Sequence, residues 1–144
     1  MTVNAIAAAT QHVVSRLYAS AAVTAHVPAE RKRIVQGALP NPEEAEYPLI
    51  FVLTYGDPVD TRYNNARRAL TEVTVSVRVV MPADDLGPLV PIAVAVDEAL
   101  DGTRGETATG TVVSCVRISE TEMVDRVAGQ TVRYLGGRYE LLVS

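Results

Sequence analysis

Residues 72–81 carry the clearest pattern of hydrophobic and polar positions in the chain. Apolar residues alternate with polar ones there at a period of two: Val73, Val75, Val77, Val79 and Met81 against Glu72, Thr74, Ser76 and Arg78. Because successive side chains of a strand point to opposite faces of a sheet, this alternation predicts a strand with one buried face and one solvated face. Arg78 is expected on the solvated face.

Two segments show the three- and four-residue spacing of amphipathic helices. The first runs from Asn4, a candidate N-cap, to Val27. The second runs from Asp85 to Leu100 and is ended by Asp101-Gly102. Its apolar stripe consists of Leu89, Ile92, Ala93, Val96 and Leu100. Each helix is therefore expected to bury one face.

Three further segments predict strands. Residues 47–55 form a short apolar run bounded by Pro48 and Gly56, residues 111–120 are rich in valine, and residues 130–143 alternate except at Gly136-Gly137, as at a bulge or bend. The order α-β-β-α-β-β predicts an α+β fold, with two helices packed on one face of an antiparallel four-stranded sheet. Residues 1–144 are expected to form a single domain.

Composition narrows the classes of function. The net charge is -4 and the pI is about 5.1, which argues against a dedicated nucleic-acid-binding protein. No stretch approaches the roughly 20 uninterrupted apolar residues that span a bilayer, so no membrane association is expected. The alanine run near the N-terminus has no basic segment before it, so we expect no secretory signal.

Candidate chemistry is sparse. His12 and His26 are the only histidines, and no carboxylate or cysteine stands at a spacing that would complete a metal site. A helical position facing solvent or capping the helix is expected for both. Cys115, the only cysteine, lies in a predicted strand and is expected to be buried. Phosphate-binding glycine motifs are absent. The sequence thus predicts neither an enzyme nor a cofactor.

The charged segment 57–69 has neither helical nor strand periodicity and predicts a long exposed loop or hairpin arm. It mixes both charge signs with one aromatic residue, a composition suited to a contact surface. The candidate interface residues are Asp57, Asp60, Arg62, Tyr63, Arg67 and Arg68. A plain mobile loop is the alternative interpretation.

The order of segments resembles that of the tail-terminator and minor tail proteins of long-tailed phages. The resemblance covers nearly the whole chain and lies in these segments: Ser15-Arg-Leu-Tyr-Ala-Ser20, Tyr47-Pro-Leu-Ile-Phe-Val52, the charged arm, Val73-Thr-Val-Ser-Val-Arg-Val79, Ile92-Ala-Val-Ala-Val-Asp-Glu-Ala-Leu100 with its Asp101-Gly102 stop, and Arg138-Tyr-Glu-Leu-Leu-Val143. These proteins share a fold and a segment rhythm without an invariant motif. No functional residue transfers from them.

The resemblance implies a structural protein of the virion tail, assembled in the host cytoplasm. It implies a homohexameric ring that caps the tail tube, stops polymerisation of the major tail tube protein and joins the tail to a head connector or completion protein. DNA would pass through the ring without being read. An acidic subunit agrees with that, because a repulsive lumen lets DNA slide.

Two other functions stay open from the sequence. A head-completion or connector protein would also form a ring but would bind on the portal side. A small enzyme or ligand-binding domain could instead use Arg78, Arg117 and a tyrosine in a pocket between helix and sheet. That second reading requires converging polar residues on the buried face, whereas the alternation places Arg78 on the other face.

Overall fold

The computed structural model describes residues 3–28, 33–41, 45–62 and 68–144. These ranges contain three helices and seven strands. In chain order the elements are α1 (Ala5–Ala19), α2 (Ala21–His26), β1 (Ile34–Gln36), β2 (Leu49–Thr54), β3 (Val59–Arg62), β4 (Arg68–Pro82), α3 (Val90–Leu100), β5 (Gly105–Thr107), β6 (Gly110–Val127) and β7 (Gln130–Val143).

All seven strands belong to one mixed sheet of order β1-β2-β4-β7-β6-β5. Strand β3 pairs with the start of β4, beyond the stretch of β4 that pairs with β2. The short strand β1 runs parallel to β2, and the other pairs are antiparallel. The predicted antiparallel four-stranded sheet with two helices is therefore wrong.

The missed elements are short or interrupted. Strands β1, β3 and β5 have only three or four residues each, too few to show a period of two. The predicted first helix is divided at Ser20, whose backbone is extended and whose side chain accepts a hydrogen bond from the Val23 N–H to cap α2. Strand β6 also continues past Glu120, the predicted end, to Val127.

The main core lies between the helices and one face of the sheet. The four alternating valines of β4 are buried there, as predicted, together with Tyr139 and Leu141 of β7. The buried residues of the helices include Val13 and Leu17 of α1 and Ile92, Val96 and Leu100 of α3. Asn4 caps α1 by accepting from the Ala7 N–H at 3.0 Å, which confirms the predicted N-cap.

A smaller apolar cluster lies on the opposite face. Leu49, Val80 and Tyr134 stand side by side on β2, β4 and β7, and Val132 joins them. Ala45, Tyr47, Phe51 and Val127 pack against the cluster. One end of this helix-free face is therefore covered by the chain itself.

Strands β6 and β7 form the longest hairpin. The two residues of its turn, Ala128 and Gly129, both have positive φ, 52° and 79°, as a tight two-residue hairpin turn requires. Strand β5 pairs with β6 only from Gly110 to Val112. Among the described residues, no strand covers the outer edge of β6 from Val113 to Val127.

Gly136 is required by close contact between β7 and β4. A Cβ at this position would stand 1.9 Å from the Val77 carbonyl oxygen and 2.7 Å from the Arg78 Cα. The β4–β7 pairing runs through Gly136-Gly137 without a register shift, while the shifts lie in β6 at Val112/Ser114 and Arg117/Ser119. The glycine pair thus permits close approach of the strands instead of forming the predicted bulge.

We expect Gly136→Ala to lower the free energy of unfolding by about 2 kcal/mol or more, because the backbone of β4 must move to admit the methyl group. Gly87→Ala is the matched control: its Cβ would meet the Asp85 carboxylate at 3.0 Å, the end of a flexible side chain, and a change within about 0.5 kcal/mol is expected. Urea denaturation measures both. Equal stability of the two variants would contradict the steric explanation.

Candidate functional site

The predicted charged arm is a β-hairpin at its base, formed by β3 and the start of β4. Asp57 and Asp60 are exposed, and Asp60 Oδ1 accepts a hydrogen bond from the Thr71 hydroxyl at 2.6 Å. Arg62 and Arg68 are cross-strand partners at the far end of the described hairpin. Tyr63 and Arg67 lie outside the described residues. The arm is therefore anchored to β4, a strand in the middle of the sheet.

A polar cluster occupies the helix-free face beside the small apolar cluster. Gly136 of β7 lies between Arg78 of β4 and Thr121 of β6 across the sheet. Two residues further along β7, Arg138 is opposite Ser119 of β6. Directly opposed residues share a face of the sheet. Arg138 also stacks on Tyr55, with 3.8 Å between its guanidinium carbon and the ring centroid. We call Tyr55, Arg78, Ser119, Thr121 and Arg138 the arginine face.

The arginine face contains buried polar atoms without partners. The Nε atoms of Arg78 and Arg138 and the hydroxyls of Ser119 and Thr121 are buried and make no hydrogen bond. A buried donor left in this state costs about 1–3 kcal/mol, and native proteins pair nearly all such groups. A buried water is the partner that such inaccessible atoms call for.

Glu140, two residues from Arg138 on β7, does not neutralise the arginines of this face. Burial raises the pKa of Glu140, and the negative charge of Glu72 and a hydrogen bond with it raise this pKa further. The two carboxyl groups thus interact with each other. Neither Arg78 nor Arg138 forms an ion pair with a carboxylate in the described part of the chain.

A second unpartnered surface lies where α3 meets the uncovered edge of β6. It combines exposed apolar side chains with glutamates, and we call it the acidic edge: Val90, Val94, Glu98, Ile118, Glu120 and Glu122. Val90, Val94, Glu98 and Glu120 border the same cavity, of about 270 Å³. Within the described ranges none of the three glutamates forms an ion pair.

Three polar side chains that contact one another also line that cavity. The Tyr139 hydroxyl donates to Asp97 Oδ1 at 2.8 Å, and Arg117 Nε lies 3.6 Å from the same oxygen. Burial raises the pKa of Tyr139 and the hydrogen bond to Asp97 raises it further, so the phenol stays neutral. Arg117 and Tyr139 thus line one pocket, but Arg78 lies on the other face of the sheet, as its alternation predicts.

The histidine and cysteine side chains are structural. His12 is only 4% exposed, and its Nε2 lies 2.9 Å from the Thr103 hydroxyl, so the predicted solvent-facing or capping position is wrong. Cys115 is fully buried, as predicted, and burial raises the pKa of its thiol to about 12. It is therefore protonated and poorly nucleophilic at neutral pH.

The described ranges contain no group of three His, Cys, Asp or Glu residues arranged to hold a metal ion. In the same part of the chain, no helix is long and apolar enough to cross a membrane. The conspicuous features are instead three surfaces suited to contact with other proteins: the arm, the arginine face and the acidic edge.

The sequence predicts the arm as a contact surface, which stays a prediction, whereas it did not predict the arginine face or the acidic edge. Arg78 and Arg138 stand at the polar positions of two alternating strands, which is the only local signal for the arginine face. The contact of Arg138 with Tyr55 and the alignment of Ser119 and Thr121 beside the arginines depend on strand register. Register between distant strands is not readable from one sequence.

Surfaces with unpartnered charged and apolar groups are typical of a subunit of a larger protein assembly. The comparisons with known proteins specify the class. The family model of tail completion protein gp17 matches residues 11–134, and the chain belongs to this family. It is a structural protein of the phage virion tail with a role in tail completion and head–tail joining.

A solved structure shares the fold. A chain of the virion of a native gene transfer agent (GTA) particle is similar with a TM-score of 0.71 at 17% sequence identity, over 96% of this chain and 97% of that chain. No curated protein sequence matches. The expected resemblance to phage tail proteins is thus confirmed by the family match.

The buried His12 predicts a pH-dependent stability. Burial lowers its pKa below the ordinary value of 6.5, and the nearby Arg16 lowers it further. On acidification the unfolded chain therefore takes up a proton before the folded chain does, and the free energy of unfolding falls as the pH drops below 6.5 toward the folded pKa.

Urea denaturation of wild type and His12→Gln at about pH 7.5 and about pH 5.5 isolates this contribution. The variant is expected to lose less stability on acidification than the wild type does. His26→Gln, at an exposed histidine at the end of α2, is the matched control and should behave as wild type. An identical acid loss in wild type and His12→Gln would disprove the role of His12.

Proposed function

We propose that this protein forms a homohexameric ring that caps the tail tube, ends polymerisation of the tube protein and provides the surface for head attachment. The observation that carries the proposal is the presence of two unlike unpartnered surfaces on one chain, the arginine face and the acidic edge. A ring is built from heterologous contacts, in which two different surfaces of each subunit are used. The number six rests on the resemblance to tail-terminator proteins.

The arm is proposed to contact a neighbouring subunit or the tube through Asp57, Asp60, Arg62, Tyr63, Arg67 and Arg68. Its base is held by antiparallel pairing of β3 with β4, and β4 is paired along its length with β7. The pairing of Arg62 with Arg68 thus stands at the end of a hairpin base that is fixed to the sheet. Arg and Tyr are the residue types that most often anchor such contacts.

The proposed partners are the major tail tube protein on one side of the ring and a head connector or completion protein on the other. DNA is proposed to pass through the lumen without specific binding. Each subunit contributes a net charge of -4, and an acidic ring repels the DNA backbone instead of retaining it. A head-completion ring is the alternative, and binding to purified tubes distinguishes the two.

The purified protein is expected to form particles of six 15.4 kDa subunits with a central hole. Light scattering measures the mass, and electron microscopy shows the shape, first alone and then with tail tubes. Rings at tube ends and tubes of limited length support the proposal. Rings that bind a portal assembly and ignore tubes would favour the head-completion alternative, and a monomer in both conditions would contradict the ring.

Alanine substitution of the six arm residues is expected to abolish tube capping, so that tubes grow longer than with wild type in electron micrographs. The matched control is Asp125→Ala with Arg126→Ala beside the β6–β7 turn, at the opposite end of the sheet from the arm. The control should cap tubes normally. Normal capping and normal rings with the arm variant would rule out the proposed role of the arm.

A further inference from the structure

We propose that the arginine face of one subunit packs against the acidic edge of a second copy of this chain, and that this is the contact that closes the ring. The inference rests on the proposed ring and names its interface. Two properties of the described residues carry it, namely the opposite charges of the two surfaces and the lack of ion pairs at their arginines and glutamates.

The arginine face offers the chemistry that binds carboxylates, because neither Arg78 nor Arg138 forms an ion pair within the described ranges. Gly136 has no side chain and lies between Arg78 on β4 and Thr121 on β6. Their buried Nε and hydroxyl atoms lack partners, as do those of Arg138 and Ser119. Hydrogen bonds from arginine to a carboxylate are short and about twice as strong as neutral ones.

The acidic edge supplies the matching groups. The carboxylates of Glu98, Glu120 and Glu122 are exposed and unpaired in the described part of the chain, while the neighbouring Arg117 is held by Asp97 at 3.6 Å. Beside them Val94 is 49% exposed and Ile118 is 51% exposed. An apolar centre with glutamates around it fits a surface that carries two arginines and Tyr55.

The two surfaces cannot satisfy each other within one subunit. The arginine face lies on the helix-free side of the sheet, whereas the acidic edge is formed by α3, on the helix side, and by the outer edge of β6. The sheet stands between them. Their groups can meet only between molecules.

Charge also decides between a two-fold dimer and a head-to-tail arrangement. A two-fold contact places a surface against itself, which would bring glutamates against glutamates or arginines against arginines. Such like-charge contacts are unfavourable. The head-to-tail contact pairs unlike surfaces. It leaves an arginine face free at one end of a row of subunits and an acidic edge free at the other, as ring closure requires.

Two charge-reversed variants test the contact. One carries Arg78→Glu and Arg138→Glu, and the other carries Glu98→Arg and Glu120→Arg. Each variant alone places like charges in every contact, so the concentration needed for half-assembly is expected to rise about tenfold or more. A one-to-one mixture is expected to restore rings near the wild-type concentration, because alternating subunits bring opposite charges together at every contact.

The mixture gives a readout that a folding defect cannot imitate, since two misfolded variants do not rescue each other. Alternation also requires an even number of subunits, so the restored rings should contain equal amounts of both variants by native mass spectrometry. Glu106→Arg, on β5 outside both surfaces, is the matched control and should assemble as wild type. Circular dichroism checks that each variant is folded.

If Arg78→Glu with Arg138→Glu does not fold, Arg138→Gln takes its place. Because it removes one charge and reverses none, a smaller weakening of assembly is expected, with no change in the circular dichroism spectrum. Unchanged assembly of the folded variants, or mixtures no better than either variant alone, would overturn this contact while leaving the wild-type ring intact. Wild-type protein that forms no ring, even on tubes, would overturn the proposed function itself.

Discussion

The burial of one face of β4 is the constraint on which the rest of the molecule depends. Val73, Val75, Val77 and Val79 are all buried under the helices, and together they form the centre of the core. Because the period of a strand is two, burying these valines sends the intervening polar residues to the other side of the sheet. Arg78 reaches the helix-free face as a direct consequence of core formation.

The sequence predicted the elements that have a clear pattern of apolar and polar residues within one continuous segment. The valine alternation of β4, the apolar run of β2, the range of β7 and the Asn4 cap agree with the structure. The division of the first helix at Ser20 was missed because the apolar spacing continues on both sides of it, and a serine inside such a pattern does not by itself show that its side chain caps a new helix. Sheet order was not predictable, because the central pairing of β4 with β7 joins segments that are distant in sequence.

In the candidate interface, too, features with a local sequence signal were predicted and features that depend on pairing between strands were not. The arm could be predicted because its charge composition lies in one continuous segment, and the structure shows the hairpin at its base. The arginine face joins residues from Tyr55 to Arg138, and only the pairing of β4, β7 and β6 brings them together. Gly136 allows β4 and β7 to approach closely within this surface, since a side chain there would collide with the backbone of β4.

The long uncovered edge of β6 must also be kept from open-ended pairing with other chains. This edge carries exposed apolar side chains, among them Val116, Ile118 and Val124. An unprotected apolar edge strand promotes aggregation. Glu120 and Glu122 interrupt it with charge, so that a strand can approach only if it brings compensating groups. A partner surface with unpaired arginines meets that condition, whereas a second copy of the same edge does not. The glutamates that favour a basic partner surface thus also disfavour pairing of this edge with a second copy of itself.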